Sequence, residues 1–228
     1  MGFVARMFRK LSSNLYGEKS FALNQLDLKL SKYLDFSNGF FIEAGANDGR
    51  LQSNTLYFEQ YKNWKGILVE PLPELANQCR INRPEAIVEN CALIPFDFEE
   101  DHIEMRYCGL MSLVKGALKS EQDELTHIKN GIAGQKKVEE TYLVTVHART
   151  LTSILDQNKV SKIDFFSLDV EGFELNVLKG LDFNRYTPTY ILVEARYRDE
   201  IDSYLQPLYD PIAELSHHDV LYRLRAKS

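Results

Sequence analysis

Apolar residues in this chain cluster in short runs, and most of these runs are followed by a polar segment. Short runs with few charges are typical of strands buried in a parallel sheet, and helical periodicity between them indicates crossover helices. The pattern therefore predicts an α/β domain. The predicted buried strands are 40–44, 66–70, 86–93, 163–168 and 189–194, followed by a final pair at 211–215 and 220–224.

A glycine-containing loop follows the first of these strands. Gly45 and Gly49 punctuate the loop, and Ser53, Asn54 and Thr55 supply N-cap residues for the next helix. A strand, a glycine loop and a helix form the start of a nucleotide-binding βαβ unit, because glycine lets the backbone approach a ligand closely.

The charge of this loop indicates the kind of ligand. Glu43 and Asp48 lie in or beside it, and Arg50 lies only at its far edge. Phosphate sites use backbone N–H groups and usually a Lys or Arg, so two carboxylates disfavour a pyrophosphate and favour a cation. The spacing from Gly45 to Gly49 also differs from the dinucleotide fingerprint, which opposes a nicotinamide enzyme. S-adenosylmethionine, with its sulfonium and ammonium groups, fits the charge.

Carboxylates recur at the ends of later strands. Glu70 lies about 20 residues after the loop, where Rossmann-like folds place the acid that binds the ribose hydroxyls. It could instead cap the helix that starts near Pro73. Asp169 and Glu171 follow the fourth buried strand, and Glu194 ends the fifth. Since ligands bind outside the carboxyl ends of parallel strands, these acids should face one crevice, although Asp169 could also be a helix N-cap.

The end of the third strand, 90–92, falls where such folds hold the adenine. The side-chain amide of Asn90 suits the edges of a base, but Asn90 could equally be a turn residue.

Residues 95–140 interrupt the strand–helix pattern. They predict a short strand at 103–107, a charged helix at 119–129 and a mobile loop at Gly131 and Gly134, before a half-exposed strand at 141–148. A long insertion near the strand ends often forms a wall or lid over the substrate. The histidines of this insertion, His102 and His127, are predicted to be solvated.

Length and composition fit a single domain. The 228 residues are 44% hydrophobic, and the formal net charge of −6 disfavours a nucleic-acid partner. No apolar run approaches the ~20 residues of a membrane span. Cys79, Cys91 and Cys108 are an odd number without metal-ligand spacing, so they predict reduced thiols and a cytoplasmic location.

Residues 1–39 precede the first buried strand. Leucines at helical spacing, from Leu23 to Leu34, predict an amphipathic helical extension packed on the core. Arg6 and its basic and apolar neighbours could make a peripheral contact with a membrane surface. The simpler interpretation is a helix with a solvated basic face.

Several segments, taken together, resemble the FkbM family of S-adenosylmethionine-dependent methyltransferases. The resemblance runs from about residue 40 to the C-terminus and does not cover the insertion convincingly. The segments are Phe-Ile-Glu-Ala-Gly-Ala-Asn-Asp-Gly at 41–49, Trp-Lys-Gly-Ile-Leu-Val-Glu-Pro at 64–71, Asn-Cys-Ala at 90–92, Ser-Leu-Asp-Val-Glu-Gly-Phe-Glu at 167–174 and Val-Leu-Lys-Gly at 177–180.

This resemblance implies a Rossmann-like class I methyltransferase fold, with a mostly parallel seven-stranded sheet, helices on both faces and one antiparallel strand. The methyltransferase domain would be 40–228, with 95–140 as an inserted substrate-side region. The implied reaction is O-methylation of a sugar, glycan or natural-product hydroxyl. The resemblance and the charge argument together predict the cofactor-binding residues. These are Glu43, Gly45, Ala46, Asn47, Asp48, Gly49, Asn54, Glu70, Pro71, Asn90, Cys91, Ala92 and Asp169.

A hydroxyl acceptor must lose its proton as the new bond forms. Asp169 is the preferred base or orienting residue, Glu171 is the second candidate, and His147 is a weaker one. A divalent cation held by Asp169 and Glu194 could instead lower the pKa of the acceptor, but without a His cluster the sequence predicts no metal site.

A non-catalytic binding module is the alternative from another class. Some proteins with a related domain are trafficking factors, so the fold does not guarantee turnover. The intact set of acids argues against that alternative here.

Overall fold

The computed structural model describes residues 19–135, 138 and 140–226. The strands of this part are β1 (Phe40–Ala44), β2 (Lys65–Val69), β3 (Ile87–Glu89), β4 (Ala92–Leu93), β5 (His102–Arg106), β6 (Leu113–Val114), β7 (Leu143–Arg149), β8 (Phe165–Leu168), β9 (Tyr190–Glu194), β10 (Tyr209–Glu214) and β11 (Asp219–Leu224). Its α-helices are α1 (Leu26–Leu30), α2 (Leu56–Lys62), α3 (Pro73–Asn82), α4 (Glu121–Gly134), α5 (Leu151–Gln157), α6 (Glu174–Leu178) and α7 (Arg198–Leu205).

Seven of these strands form the main sheet, in the order β10-β11-β9-β8-β1-β2-β3. Strand β11 is antiparallel to both of its neighbours, and β1, β2, β3, β8 and β9 pair in parallel. This topology confirms the mostly parallel seven-stranded sheet with one antiparallel strand.

Apolar residues on both faces of the sheet explain the continuous apolar runs. Along β1, Ile42 belongs to the cluster that includes buried residues of α5, α6 and α7, whereas Phe41 belongs to the cluster with α1, α2 and α3. Phe166 and Phe165 on β8 divide between the same two clusters. Alternate side chains point to opposite faces of a strand, so both faces are covered by helices, as predicted.

The predicted strand at 86–93 is wrong as a single element. Strand β3 ends at Glu89 on the edge of the main sheet, and β4 pairs with β7 instead. The side-chain amide of Asn90 donates to the carbonyls of Glu70 and Pro71 at 2.9 Å each, which holds the chain where it leaves the main sheet. Apolar periodicity cannot show this break because both segments are apolar.

A second sheet of four strands, in the order β4-β7-β5-β6, combines β5 and β6 of the inserted region with the flanking strands β4 and β7. Strands β5 and β7 lie where the sequence predicts them, and α4 overlaps the predicted helix. The predicted mobile loop is wrong, since Gly131 and Gly134 belong to α4. A Cβ on Gly131 would lie 2.5 Å from Cys108 Sγ, so glycine here permits close packing of the helix.

The N-terminal segment contains less helix than its leucine spacing predicts. Within the described residues it forms a 3₁₀ turn at Leu23–Gln25 and the short α1, with Leu26, Leu30 and Leu34 buried against the core. The basic segment around Arg6 lies outside the described residues. None of the described helices is long and apolar enough to cross a membrane.

A buried arginine fixes the loop that follows β1. Arg83, just after α3, donates to Glu59 at 2.8 Å, to the carbonyl of Gly49 at 3.0 Å and to Thr55 Oγ1 at 3.1 Å. Its guanidinium also lies 3.6 Å from a carboxylate oxygen of Glu43. Arg83 therefore joins α3, the glycine loop and the start of α2.

Arg83→Met should lower the free energy of unfolding by about 3–5 kcal/mol, because Glu43 and Glu59 then lose a buried cationic partner. Arg80→Met is the matched control, since Arg80 is exposed near the end of the same helix and should change stability by less than about 0.5 kcal/mol. Urea denaturation of the two variants measures the difference. Equal losses would contradict a role for Arg83 in this network.

Candidate active site

A cavity of about 540 Å³ lies at the carboxyl ends of β1, β2, β8 and β9. This volume is within the usual range of small-molecule sites. The loops of the main sheet form one side, and residues of the inserted region, including Met105, Leu110, Met111 and Gln135, form the other. All of the acids predicted to share a crevice line this cavity, namely Glu43, Glu70, Asp169, Glu171 and Glu194.

The glycine loop passes directly over the end of β8. Gly45 has a φ of 83°, and a Cβ at this position would overlap the carbonyl oxygen of Asp169. The sequence predicts that glycine makes room for a ligand here. The structure shows that it also makes room for the backbone of Asp169, which brings the loop and this carboxylate together.

Glu70 joins the loops after β1 and β2. Its two carboxylate oxygens accept the backbone N–H of Asn47 at 2.8 Å and of Leu72 at 2.9 Å. Burial raises the pKa of Glu70 to about 7, although these two hydrogen bonds act in the opposite direction. Each carboxylate oxygen can accept a further hydrogen bond, so Glu70 remains able to bind a hydroxyl from the cavity.

Glu43 holds the start of α2. Its oxygens accept hydrogen bonds from Ser53 Oγ at 2.8 Å, from the backbone N–H of Asn54 at 2.8 Å and from Thr55 Oγ1 at 2.6 Å. These contacts, with the nearby Arg83, give Glu43 a structural role in shaping the cavity wall.

The other predicted cofactor residues divide into two groups. Gly45, Ala46, Asn47, Pro71, Cys91, Ala92 and Asp169 line the cavity, whereas Asp48, Gly49, Asn54 and Asn90 do not.

The second group supports the loops from behind. Asp48 accepts the backbone N–H groups of Arg50 and Leu51, and the amide of Asn54 donates to Ser167 Oγ at 3.0 Å. The side-chain oxygen of Asn54, Oδ1, is buried and has no hydrogen-bond partner in the described part of the chain.

Three carboxylates meet at the ends of β8 and β9. One oxygen each from Asp169, Glu171 and Glu194 lies within 4.8 Å of the others. Glu171 has a φ of 56° and Gly172 a φ of 98°, so the chain turns here and does not continue as a strand. The sequence predicts that Gly172 turns the chain into a helix, but it does not predict the positive φ of Glu171.

We call Asp169, Glu171 and Glu194 the acidic cluster. Burial and neighbouring negative charge disfavour the ionised forms of Asp169 and Glu171. Asp169 is exposed to the cavity, yet desolvation by the surrounding protein raises its pKa well above its usual value. The charges of Glu194 and Glu171 act in the same direction. Burial and the charge of Glu194 raise the pKa of Glu171 to about 8, while Arg196 lowers it. The cluster therefore includes carboxyls that can hold a proton near neutral pH.

Glu174 holds the turn beneath this cluster. One of its oxygens accepts the backbone N–H groups of Gly172 at 2.9 Å and Val170 at 3.2 Å. Burial raises the pKa of Glu174 to about 7. Its place in the 167–174 motif was visible in the sequence, but its role depends on the positive φ angles that the motif adopts.

Sequence reasoning missed His127 and Arg196. His127 is buried, so the prediction of a solvated side chain is wrong for it, whereas His102 is exposed as predicted. Arg196 Nη2 lies 3.8 Å from Glu171 Oε2 and 3.1 Å from His127 Nδ1. His147 is exposed on β7, against His102 and outside the cavity lining. No periodicity could have linked His127 to Arg196, since 69 positions separate them.

The fold and the site define an S-adenosylmethionine-dependent methyltransferase of the α/β class. The family model described as the methyltransferase FkbM domain matches residues 43–225, and the chain belongs to this family. This match confirms the resemblance seen in the sequence. No curated protein matches the chain.

Solved methyltransferase structures are similar to this chain over most of its length. A TehB-like S-adenosylmethionine-dependent methyltransferase from Corynebacterium glutamicum is 9% identical, with 97% of this chain and 96% of that chain covered and a TM-score of 0.43. A putative caffeoyl-CoA O-methyltransferase from Staphylococcus aureus is 8% identical, with 97% and 92% covered and a TM-score of 0.47. A Geobacter sulfurreducens methyltransferase in complex with S-adenosyl-L-homocysteine is 9% identical, with 91% and 72% covered and a TM-score of 0.38.

S-adenosylmethionine is the cofactor of this family, and the residues at the cavity fit it. The carboxylates of Glu70 and Asp169 reach the cavity from the ends of β2 and β8. Such a lining suits a ligand that carries a sulfonium and an ammonium group. The predicted cofactor is confirmed by the family and not by the charge of the loop, because Asp48 lies outside the cavity lining and Glu43 is hydrogen-bonded to the start of α2.

If Glu70 binds the ribose hydroxyls, Glu70→Ala should weaken S-adenosylhomocysteine binding by roughly 10- to 150-fold. A charge-assisted hydrogen bond of this kind is worth about 1.5–3 kcal/mol. Glu74→Ala is the control, because Glu74 is exposed at the start of the following helix. Calorimetric titration of the folded variants measures both effects. An affinity within twofold of wild type for Glu70→Ala would show that Glu70 only holds the loops.

Proposed function

We propose that this protein transfers a methyl group to a hydroxyl of a sugar, glycan or related natural-product acceptor. The observation that supports this proposal best is the acidic cluster at the cavity. A hydroxyl is not ionised at neutral pH, so its proton must leave as the new C–O bond forms. Once it has lost its proton, a carboxylate whose pKa is raised is a stronger base than an ordinary one, and burial and neighbouring charge raise the pKa of both Asp169 and Glu171.

S-adenosylmethionine, when bound, supplies the electrophilic methyl group. In the proposed mechanism Asp169 orients the acceptor hydroxyl and takes its proton, and Glu171 is the second candidate for this role. Glu194 and Glu171 can accept hydrogen bonds from further hydroxyls, which suits a polyhydroxylated acceptor. The inserted region would form the acceptor-side wall through residues such as Leu110 and Met111, which line the cavity.

The proposed cofactor contacts follow the cavity lining. Gly45, Ala46 and Asn47 would surround the methionyl part, Glu70 would bind the ribose, and Cys91 with Ala92 would lie along the adenine. We further propose a cytoplasmic location, in keeping with free thiols at Cys79, Cys91 and Cys108.

A metal-assisted O-methyltransferase is the second candidate. Three carboxylate oxygens within 4.8 Å of one another could hold a divalent cation. Glu194 Oε2 is buried and has no hydrogen-bond partner in the described part of the chain. Hard cations prefer such oxygen ligands, and a bound cation would lower the pKa of the acceptor hydroxyl.

Asp169→Asn should lower turnover by about 10²- to 10⁴-fold while leaving most of the cofactor affinity intact. The amide keeps the shape of the side chain but cannot take a proton, and general-base catalysis typically contributes this much. Methyl transfer from labelled S-adenosylmethionine to a panel of methyl glycosides and nucleotide sugars measures the loss. Asp97→Asn, at an exposed aspartate outside the cavity lining, is the matched control.

Three results would contradict this assignment. If Asp169→Asn weakens cofactor binding and spares turnover at saturation, Asp169 serves the cofactor. If a chelator abolishes wild-type turnover and Mg²⁺ or Mn²⁺ restores it, the metal-assisted candidate is correct; we expect the chelator to have no effect. If S-adenosylhomocysteine binds but no acceptor in the panel is methylated, the protein is a binding module.

A further inference from the structure

His127 connects the inserted region to the acidic cluster. It lies on α4 and is 4% exposed. Its Nε2 is 2.9 Å from the carbonyl oxygen of Met111, and its Nδ1 is 3.1 Å from Nη2 of Arg196. A carbonyl can only accept and a guanidinium can only donate, so Nε2 carries the proton and Nδ1 accepts. These two partners fix a neutral ring in one tautomer.

The two partners of His127 belong to different parts of the fold. Met111 belongs to the 3₁₀ turn Gly109–Met111 of the inserted region, and Arg196 follows β9 in the main sheet. Both residues line the cavity. Arg196 also lies 3.8 Å from Glu171, and its charge lowers the pKa of that carboxyl.

Arg196 needs a partner to stay in this place. Its side chain is 37% exposed, and a long side chain with that freedom loses entropy when it is held in one position. His127 is buried, so its hydrogen bond to Arg196 is shielded from water and can hold the guanidinium in place.

We propose that His127 is a positioning residue for methyl transfer, which holds Arg196 beside Glu171 and fixes the Met111 turn at the cavity wall. The inserted region then contributes a positioning contact to the acceptor side of the site, in addition to forming its wall. His127 Nε2 also lies 3.6 Å from Glu171 Oε2, but its N–H is directed to the carbonyl of Met111, so the effect of His127 on the site is assigned to Arg196. The catalytic consequence rests on the proposed function of the acidic cluster.

Three variants separate positioning from packing. His127→Leu fills similar space and removes both hydrogen bonds. His127→Gln offers an amide N–H for the Met111 carbonyl and an amide oxygen for Arg196, so it should restore much of the wild-type behaviour. Ile128→Ala is the matched control, because Ile128 is the next residue on α4 and packs with Cys108, Leu113 and Leu118.

The structural arm of the test does not need an acceptor. Crystal structures of wild type, His127→Leu and His127→Gln with S-adenosylhomocysteine should show Arg196 displaced from Glu171 in the leucine variant only. An unchanged Arg196 in His127→Leu would overturn the proposal, whatever the activity of the protein.

The kinetic arm measures whether this position matters for turnover. With the acceptor that wild type methylates, His127→Leu should lower kcat by roughly 10²-fold, the effect expected when a reacting group is misplaced by about 1 Å. The KM for S-adenosylmethionine should stay unchanged. Ile128→Ala should lose stability in urea but keep its kcat.

A double-mutant cycle tests whether His127 affects turnover through Arg196. If His127 acts through Arg196, then His127→Leu should add no further loss to Arg196→Met, whereas independent effects would multiply. Multiplied losses would overturn the proposal. Failure of wild type to methylate any acceptor would instead count against the proposed function, and the crystal structures would still decide the role of His127.

Discussion

The close approach of Gly45 to the carbonyl of Asp169 is the contact on which the site depends. It requires a residue without a Cβ at a positive φ, and it places the loop after β1 against the end of β8. A cofactor held by that loop must then lie next to the carboxylate of Asp169. One backbone contact therefore joins the cofactor side of the cavity to the acidic cluster, which is the arrangement that group transfer requires.

Buried polar groups hold this arrangement, and several of them are acids that resemble ligands in the sequence. Glu43 and Arg83 fix the start of α2, Glu70 ties two loops together, and Glu174 holds the turn that carries Glu171. Burying such groups is costly unless they are hydrogen-bonded, and here backbone N–H groups satisfy most of them. The same loops leave Asp169, Glu171 and Glu194 close together. Burial and neighbouring charges raise the pKa values of Asp169 and Glu171, and Arg196 lowers that of Glu171.

The inserted region gives the cavity its second wall. The four-stranded sheet continues from β4, where the chain leaves the main sheet at Asn90, and α4 packs closely because Gly131 admits the sulfur of Cys108. This region contacts the sheet ends at several points, including the pair His127 and Arg196 and the hydrogen bond from the backbone N–H of Lys119 to Tyr197 Oη.

The sequence by itself determined the α/β fold class, the positions of most strands of the main sheet and the acids that line the cavity, which follow from local patterns of apolar runs, glycines and strand-end carboxylates. The seven-stranded sheet came from the resemblance to a known family, and the cofactor from that resemblance together with the charge argument. Only the tertiary structure decided that the 86–93 run is two strands and that His127 is buried beside Arg196. It also decided that the side chains of Glu43 and Asn90 form hydrogen bonds within the chain. Such outcomes depend on hydrogen bonds and packing between residues far apart in the chain. A local pattern does not specify which distant group a polar side chain will hydrogen-bond to.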